Sequence, residues 1–361
     1  MKNILIISHW FYPINNPRSF RARALSDELI KSGYNVDVLN GERRRLIAMK
    51  DLQSYYDECN IAQSQEATED ICILKKQLKK CMNYLIGEKF FITQIKPLAK
   101  RINNSYDVII SIGNPFYSHL LSIYVSKRMR KSPVLIGDCG DPFYLGQGKH
   151  SILVDLIQRY TFEKLDYVTI PIENAKLYYQ NYLSENKIKI IPQGFSTENV
   201  QTAEYKRDLD CIHFAFAGTL YYDIRNPEKL LEYLCGRKEN FKFTLYTSLN
   251  NEVYHKVLLK YKKVLGDKLQ IFPYLKREDC IYQLSKQDFL INIENTISIQ
   301  APSKLIDYSL AGRPIYSCHP DSGSFDVLDE FLVGDYSHKV DFNISKYKIE
   351  TVCLQFQDLF Q

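Results

Sequence analysis

The chain of 361 residues contains no C-x-x-C pair: its nine cysteines (59, 72, 81, 139, 211, 235, 280, 318 and 353) are scattered and odd in number. That usage fits a reduced compartment and offers no zinc site. No segment approaches the ~20 apolar residues needed to cross a bilayer. The opening MKNILIIS has one lysine and a short apolar run, so it reads as a first buried strand and not as a secretory signal. The expected location is cytoplasmic. The loop that follows lacks G-x-G-x-x-G, which disfavours a nicotinamide enzyme, and no obvious carboxylate pair offers a seat for Mg²⁺. Internal repeats and low-complexity tracts are missing too. A net charge of +5 is too weak by itself to argue for nucleic acid.

What is present specifies a folded α/β protein. With 45% hydrophobic and 25% charged residues the chain is globular, and its length exceeds one ordinary core, which makes two domains the expectation. Runs rich in β-branched residues at 3–8, 35–39, 107–112, 133–138, 167–172 and 187–192 alternate with amphipathic stretches. A second series occupies 213–218, 241–247, 269–274, 288–293 and 314–317. Alternation of this kind builds βαβ units and parallel sheets covered on both faces. The two series meet in a polar connection over 195–210 that reads as a linker. The expected architecture is two Rossmann-like, doubly wound parallel-sheet domains facing across a cleft, residues 1–198 and 199–345. The segment 346–361 has helical periodicity and either completes the first domain or packs on the second.

Loops beyond the carboxyl ends of parallel strands carry the chemistry. After the first strand come Arg18, Arg21 and Arg23, near the start of a helix running toward Gly33. They read as a phosphate-recognising group or as a solvated basic face. In the second domain Gly218 follows a strand and Arg225 precedes a helix opened by Asn226-Pro227. Glycine lets backbone approach a ligand, and a guanidinium there can hold a diphosphate. In APSKLIDYSLAGRPI (301–315) Ser303 can cap a short helix whose N–H groups and dipole attract an anion. Lys304 adds a full charge, and Asp307 can bond vicinal hydroxyls. Gly312 suits a left-handed helix end, and Pro314 prevents continuation. The plainer reading is that Ser303 and Asp307 only stabilise the helix.

Several of these stretches together resemble the large group 1 (family 4) glycosyltransferases of GT-B fold, from residue 3 to about 317. The shared features are the strand and YP loop with Arg21, Leu25 and Ser26, the Gly33-Tyr34-x-Val36 turn, the segment 106–144, KIKIIPQGFS (187–196) and PSKLIDYSLAGRPI (302–315). The resemblance implies that Asp307 takes the place of the second glutamate of an E-x7-E motif and binds a donor ribose; the first glutamate would fall on Ile299. Gly218 falls on the glycine of a phosphate loop, Thr219 stands where that loop has arginine, and Arg225 replaces its lysine. Arg225 and Lys304 would then share the diphosphate, with Ser303 and Leu305 completing the donor site. Asp141 matches the aspartate of R-D-P-W, with Gly140 where arginine is commoner.

The implied reaction moves a sugar from a nucleotide-diphosphate sugar to a glycan or lipid-linked acceptor in surface polysaccharide assembly, such as capsule or lipopolysaccharide. It would retain configuration and need neither metal nor cofactor. His119 and Asp141 are expected to contact the acceptor or assist its proton, as catalytic residues, with Arg18, Arg21 and Asp138 on that side; Asp138 can equally order the turn that follows it. Basic, apolar-rich segments at 41–50, 73–91 and 126–131 suit an anionic membrane surface on the inner face of the cytoplasmic membrane, or a solvated helix face. A sugar-nucleotide epimerase of the same fold and a non-catalytic nucleotide-sugar binder are the alternatives.

Overall fold

The structure is a computed structural model that describes residues 1–14, 16–62, 92–140, 152–196, 200–295 and 303–361. The chain divides into two compact units, Met1–Ser196 with Ser345–Gln361, and Thr197–Ile344.

Among the described residues the first unit holds seven strands: β1 (Asn3–Ser8), β2 (Asn35–Asn40), β3 (Arg45–Ile47), β4 (Val108–Ile112), β5 (Val134–Asp138), β6 (Tyr167–Ile170) and β7 (Ile188–Ile190). They pair in the order β3-β2-β1-β4-β5-β6-β7. Every pairing is parallel except β2 with β3. Ile6 sits between Val38 and Ile110 in register, and β4 is buried along its whole length, as a strand covered on both faces must be. The six strands expected from the sequence are all present. Strand β3 was not expected, because Arg43-Arg44-Arg45 masks a strand of three residues of which only Ile47 is buried. Charge of this kind belongs on an edge strand, where it discourages further pairing.

The helix Pro17–Lys31 connects β1 to β2, capped by the Asn16 side chain, which accepts from Ser19 N. Against it lies the last helix, Ile349–Gln357, whose Val352, Cys353 and Phe356 join Leu25, Leu29 and Ile4 in one core cluster. Phe360 meets Tyr34 edge-on at 5.5 Å. The C-terminal segment therefore belongs to the first unit. Gly194 permits the approach, since a Cβ there would come within 3.0 Å of Ile349 and Val352.

The second unit holds β8 (Ile212–Ala217), β9 (Phe241–Tyr246), β10 (Leu269–Phe272), β11 (Phe289–Ile293) and β12 (Ile315–Cys318), all parallel, in the order β10-β9-β8-β11-β12. Phe214 stacks between Phe243 at 4.8 Å and Phe289 at 4.7 Å, tying the middle strands together. Strand β10 stops at Phe272, before Pro273, which has no N–H for the ladder. The stretch read as a linker is only partly one. Phe195 bridges to Lys348 in the first unit, while Tyr205 bonds to Asp288 and lies under the Arg313 guanidinium in the second. Polar residues satisfied by side-chain partners look the same in sequence as polar residues satisfied by water. Among the described residues no helix is long and apolar enough to cross a membrane.

Candidate functional site

In each sheet the strand order reverses once, between β1 and β4 and between β8 and β11. Loops at such a reversal part from one another and leave a crevice beyond the strand ends. Arg225 lies in the loop that follows β8. Lys304 lies at the start of the helix Ser303–Leu310, which connects β11 to β12.

The loop after β8 turns back at once. Tyr221 and Arg225 exchange backbone bonds of 3.3 and 3.1 Å, and Asn226 Oδ1 accepts from Glu228 N at the entry to the helix Glu228–Cys235. This returns Arg225 to the strand end, where its Nη1 donates to Thr219 O at 3.1 Å. Its Nε is buried with no hydrogen-bond partner among the described residues. Lys304 reaches the same place from the other side: its Nζ is 4.0 Å from the centre of the Phe216 ring and is likewise buried without a hydrogen-bond partner among the described residues. Gly218, at φ +134°, makes the space, because a Cβ there would fall 2.4 Å from Lys304 Cε. The glycine was expected to admit a ligand; it admits the lysine.

Burial, and then the neighbouring Arg225 charge, hold the Lys304 ammonium well below its usual pKa. Burial also lowers Arg225, against small opposing effects of Tyr221 and Tyr308. A ring face gives a cation partial compensation, worth ~2 kcal/mol when desolvated. That falls short of what removing an ion from water costs. Two basic groups buried together, with no hydrogen-bond partner for Lys304 Nζ or Arg225 Nε among the described residues, make a site that an anion would relieve.

One helical turn beyond Lys304, Tyr308 presents its hydroxyl to the β8 end, accepting from Ala217 N at 2.9 Å. The i, i+4 spacing of Lys304 and Tyr308 puts both on one face, a signal legible in the sequence and overlooked. Asp307 points elsewhere. Its Oδ1 accepts from Arg277 Nε at 2.9 Å and lies 2.8 Å from Nη2, so the carboxylate expected to bind a ribose is already half of an ion pair. Burial raises the Asp307 pKa and Arg277 opposes the rise. Arg277 was not anticipated: it opens a separate helix, Arg277–Leu284, thirty positions upstream. Thr219 Oγ1 shares a 2.8 Å hydrogen bond with the Tyr274 hydroxyl, and Leu305 packs on the cluster around Tyr308 and Ile281. Gly312 has φ +69°, as a left-handed helix end requires. The Ser303 side chain, Ile299 and the expected cap lie outside the described residues.

In the first unit the residues expected at the acceptor side are mostly structural. Arg21 donates through Nε and Nη2 to both oxygens of Asp138 and through Nη1 to Pro192 O at 3.0 Å. Its side chain is 3% exposed and that of Asp138 1%. Thr169 Oγ1 completes the set on Asp138 at 2.6 Å. Arg21 is thus neither a solvated basic residue nor a cation open to phosphate; it is a buried tie between a helix and two strands. Arg18 is buried too, its guanidinium lying over Gly140, where a Cβ would fall 1.7 Å from Nη1. Resemblance puts arginine at position 140; here a guanidinium comes close to that position from Arg18, on another element.

His119 corrects a further expectation. It is 1% exposed, with Nδ1 2.8 Å from Ser111 Oγ, Nε2 3.5 Å from Cys139 Sγ, and Phe116 packed edge-on. Burial lowers its pKa to about 4, against the opposing Asp138 charge. Such a residue serves the core and has no surface for an acceptor. Asp141 and the basic segment 73–91 lie outside the described residues. Among the described residues no three His, Cys, Asp or Glu side chains gather as a metal-holding group.

The chain matches no protein-family model and none of the curated proteins. Solved structures do resemble it. Anabaena HepE, solved with UDP and glucose, is 11% identical with a TM-score of 0.59, covering 99% of each chain. TarM is 12% identical at TM-score 0.60, covering 100% of this chain and 99% of its own. The lipopolysaccharide outer core galactosyltransferase WaaB is 14% identical at TM-score 0.58, covering 99% and 98%. The chain has the GT-B fold. In GT-B terms, the Arg225 and Lys304 crevice lies at the strand-order reversal of the C-terminal unit.

Proposed function

We propose that the protein is a glycosyltransferase that takes a sugar from a nucleotide-diphosphate donor and passes it to a glycan or lipid-linked acceptor. The reading rests on one observation: Lys304 Nζ and Arg225 Nε are buried at the β8 end with no hydrogen-bond partner among the described residues, and the Arg225 charge acts on Lys304. A diphosphate is the anion that two adjacent cations suit. HepE has been solved with UDP and with UDP-glucose, which supports the same ligand class here.

Chemically, the donor already carries its leaving group. As the bond from the anomeric carbon to the diphosphate oxygen lengthens, negative charge grows on that oxygen. Preorganised cations in a water-poor site lower its energy without rearranging. Arg225 and Lys304 serve this role in place of a metal. Asp307, held by Arg277, is assigned to the donor ribose, and Gly218, Thr219, Ser303 and Leu305 to the donor wall. Retention of configuration, a place in capsule or lipopolysaccharide assembly, and attachment to the inner face of the cytoplasmic membrane complete the proposal. The membrane part is supported by the exposed Leu156, Tyr160 and Leu177 of the first unit, with Lys127 bonded to the Tyr160 hydroxyl at 2.9 Å.

Thermal stabilisation by UDP or GDP tests the donor half, since a ligand at a hundred times its Kd adds ~2.7 kcal/mol. A protein indifferent to both would lose the assignment. Interconversion of the sugar nucleotide with no acceptor present would identify an epimerase instead.

A further inference from the structure

Beyond the edge strand of the second sheet lies a cavity of about 360 Å³ that none of the residues assigned to the donor lines. Strand β12 ends at Cys318 and the chain turns at once: Ser322 N donates to His319 O at 3.0 Å, and Asp321 N to His319 Nδ1 at 3.2 Å. The helix Asp326–Leu332 follows, and the chain then returns to β12, where Val340 N donates to Ile315 O at 2.9 Å. The turn, the start of that helix and the returning segment bound the cavity, with His319, Ser322, Asp326, Val327, His338 and Val340 on its walls. All of them belong to the second unit.

Neighbours fix what these walls offer. Because His319 Nδ1 accepts from a backbone N–H, the neutral ring carries its proton on Nε2, which is then a donor. His338 is held through Nδ1 by the Glu330 carboxylate. The Ser322 hydroxyl, His319 Nε2 and the Asp326 carboxylate have no hydrogen-bond partner among the described residues. His319 and Ser322 are half-buried and Asp326 exposed, so all three can be reached from solvent. Charge decides the kind of ligand. Asp326 lines the cavity, Glu330 stands behind His338 and Glu294 behind Ser317 at 2.7 Å, while no lysine or arginine is among the described residues that line it. A phosphate would meet repulsion there. A neutral polyol would meet two kinds of donor, a carboxylate able to accept from neighbouring hydroxyls, and the apolar Val327 and Val340 for its C–H groups.

We infer that this cavity binds a neutral saccharide unit, at a place separate from the donor crevice. Its volume falls within the ~300–1,000 Å³ usual for small-molecule sites. A role in holding part of the glycan that receives the sugar rests on the transfer reaction proposed above; the binding itself does not.

Saturation-transfer NMR on the intact protein with glucose, galactose, N-acetylglucosamine and maltose tests the inference, and hydrogen exchange read by mass spectrometry places any binding. At least one of the four should receive saturation and slow exchange over 316–327 and 338–340, whereas inorganic phosphate should slow neither segment. Asp326→Ala and Ser322→Val should each weaken that sugar by about tenfold, since each removes one hydrogen-bonding group from the cavity. In both variants stabilisation by UDP should stay at the wild-type value. No saturation of any of the four sugars, binding that survives both substitutions, or phosphate slowing the same segments as strongly as a sugar overturns the inference whether or not UDP binds. Sugar binding at this cavity without any UDP effect would remove the donor reading and leave the saccharide site standing.

Discussion

Arg21 in the N-terminal unit and the Arg225–Lys304 pair in the C-terminal unit are all cations withdrawn from water, yet they differ in what surrounds them. Arg21 meets both oxygens of Asp138 and a carbonyl, and Asp138 is further satisfied by Thr169. Arg225 and Lys304 meet a carbonyl, a ring face and each other's repulsion. A buried charge with its partner in the chain is a structural tie. A buried charge without one raises the free energy of the empty site and lowers that of any state containing an anion. Position in the fold does not separate the two cases, since both lie at or near strand ends; the presence of a counter-charge does.

The largest effect should come from breaking the satisfied pair. Arg21→Met leaves Asp138 buried and uncompensated, which costs ~3–5 kcal/mol. Chemical denaturation followed through Trp10, which lies in the same unit, should show that loss. The increment gained from UDP should stay as it was. A variant of normal stability that no longer binds UDP would erase the distinction between the two regions. Next in size, Arg225→Ala and Lys304→Ala should each remove ~3 kcal/mol of transition-state stabilisation, by analogy with deleting a preorganised oxyanion donor. They should leave the unfolding midpoint of the empty protein little lowered. Steady-state kcat/KM with the best donor decides, and wild-type values in both would refute the assignment.

The same contrast explains how much could be read in advance. Strand positions were legible because buried parallel strands are continuous apolar runs: Asn3–Ser8 and Val108–Ile112 announce themselves. Arg225 and Lys304 were legible as charges at strand-to-helix junctions, a local property. The counter-charge was not. Asp138 lies 117 positions from Arg21 and Arg277 thirty from Asp307, and nothing local records such pairings. His119 misled for the same reason: a histidine in a Pro-aromatic loop looks functional until Ser111, Cys139 and Phe116 are seen to enclose it. Gly218 was recognised as a close-approach glycine, but what approaches is Lys304.

His119 also supplies a comparison in pH. Its pKa falls from 6.5 in the unfolded chain to about 4 in the fold, so the unfolded state binds the extra proton between those values. The His119 contribution is therefore complete above pH 6.5 and lost as pH falls toward 4, by on the order of 3 kcal/mol. In His119→Gln this part of the acid sensitivity should vanish, while the pH dependence of UDP binding stays as in wild type. An unchanged acid profile would mean that His119 is not held neutral.

The smallest effect is the most discriminating, because its sign depends on the ligand. In the ligand-free protein Lys304 buries an amine with no hydrogen-bond partner among the described residues, so Lys304→Met should raise stability by ~1 kcal/mol at neutral pH, through relief of that burial and of the repulsion with Arg225. The folded pKa lies below the unfolded one, so the unfolded chain holds the extra proton between them. Wild-type stability thus climbs as pH rises through that window, and the advantage of methionine is greatest below it and fades above the ordinary lysine value. Saturating UDP should reverse the order, with wild type stabilised and Lys304→Met left where it was. If methionine instead destabilises the empty protein, Lys304 is already paired, and the unsatisfied-cation argument for the donor site fails.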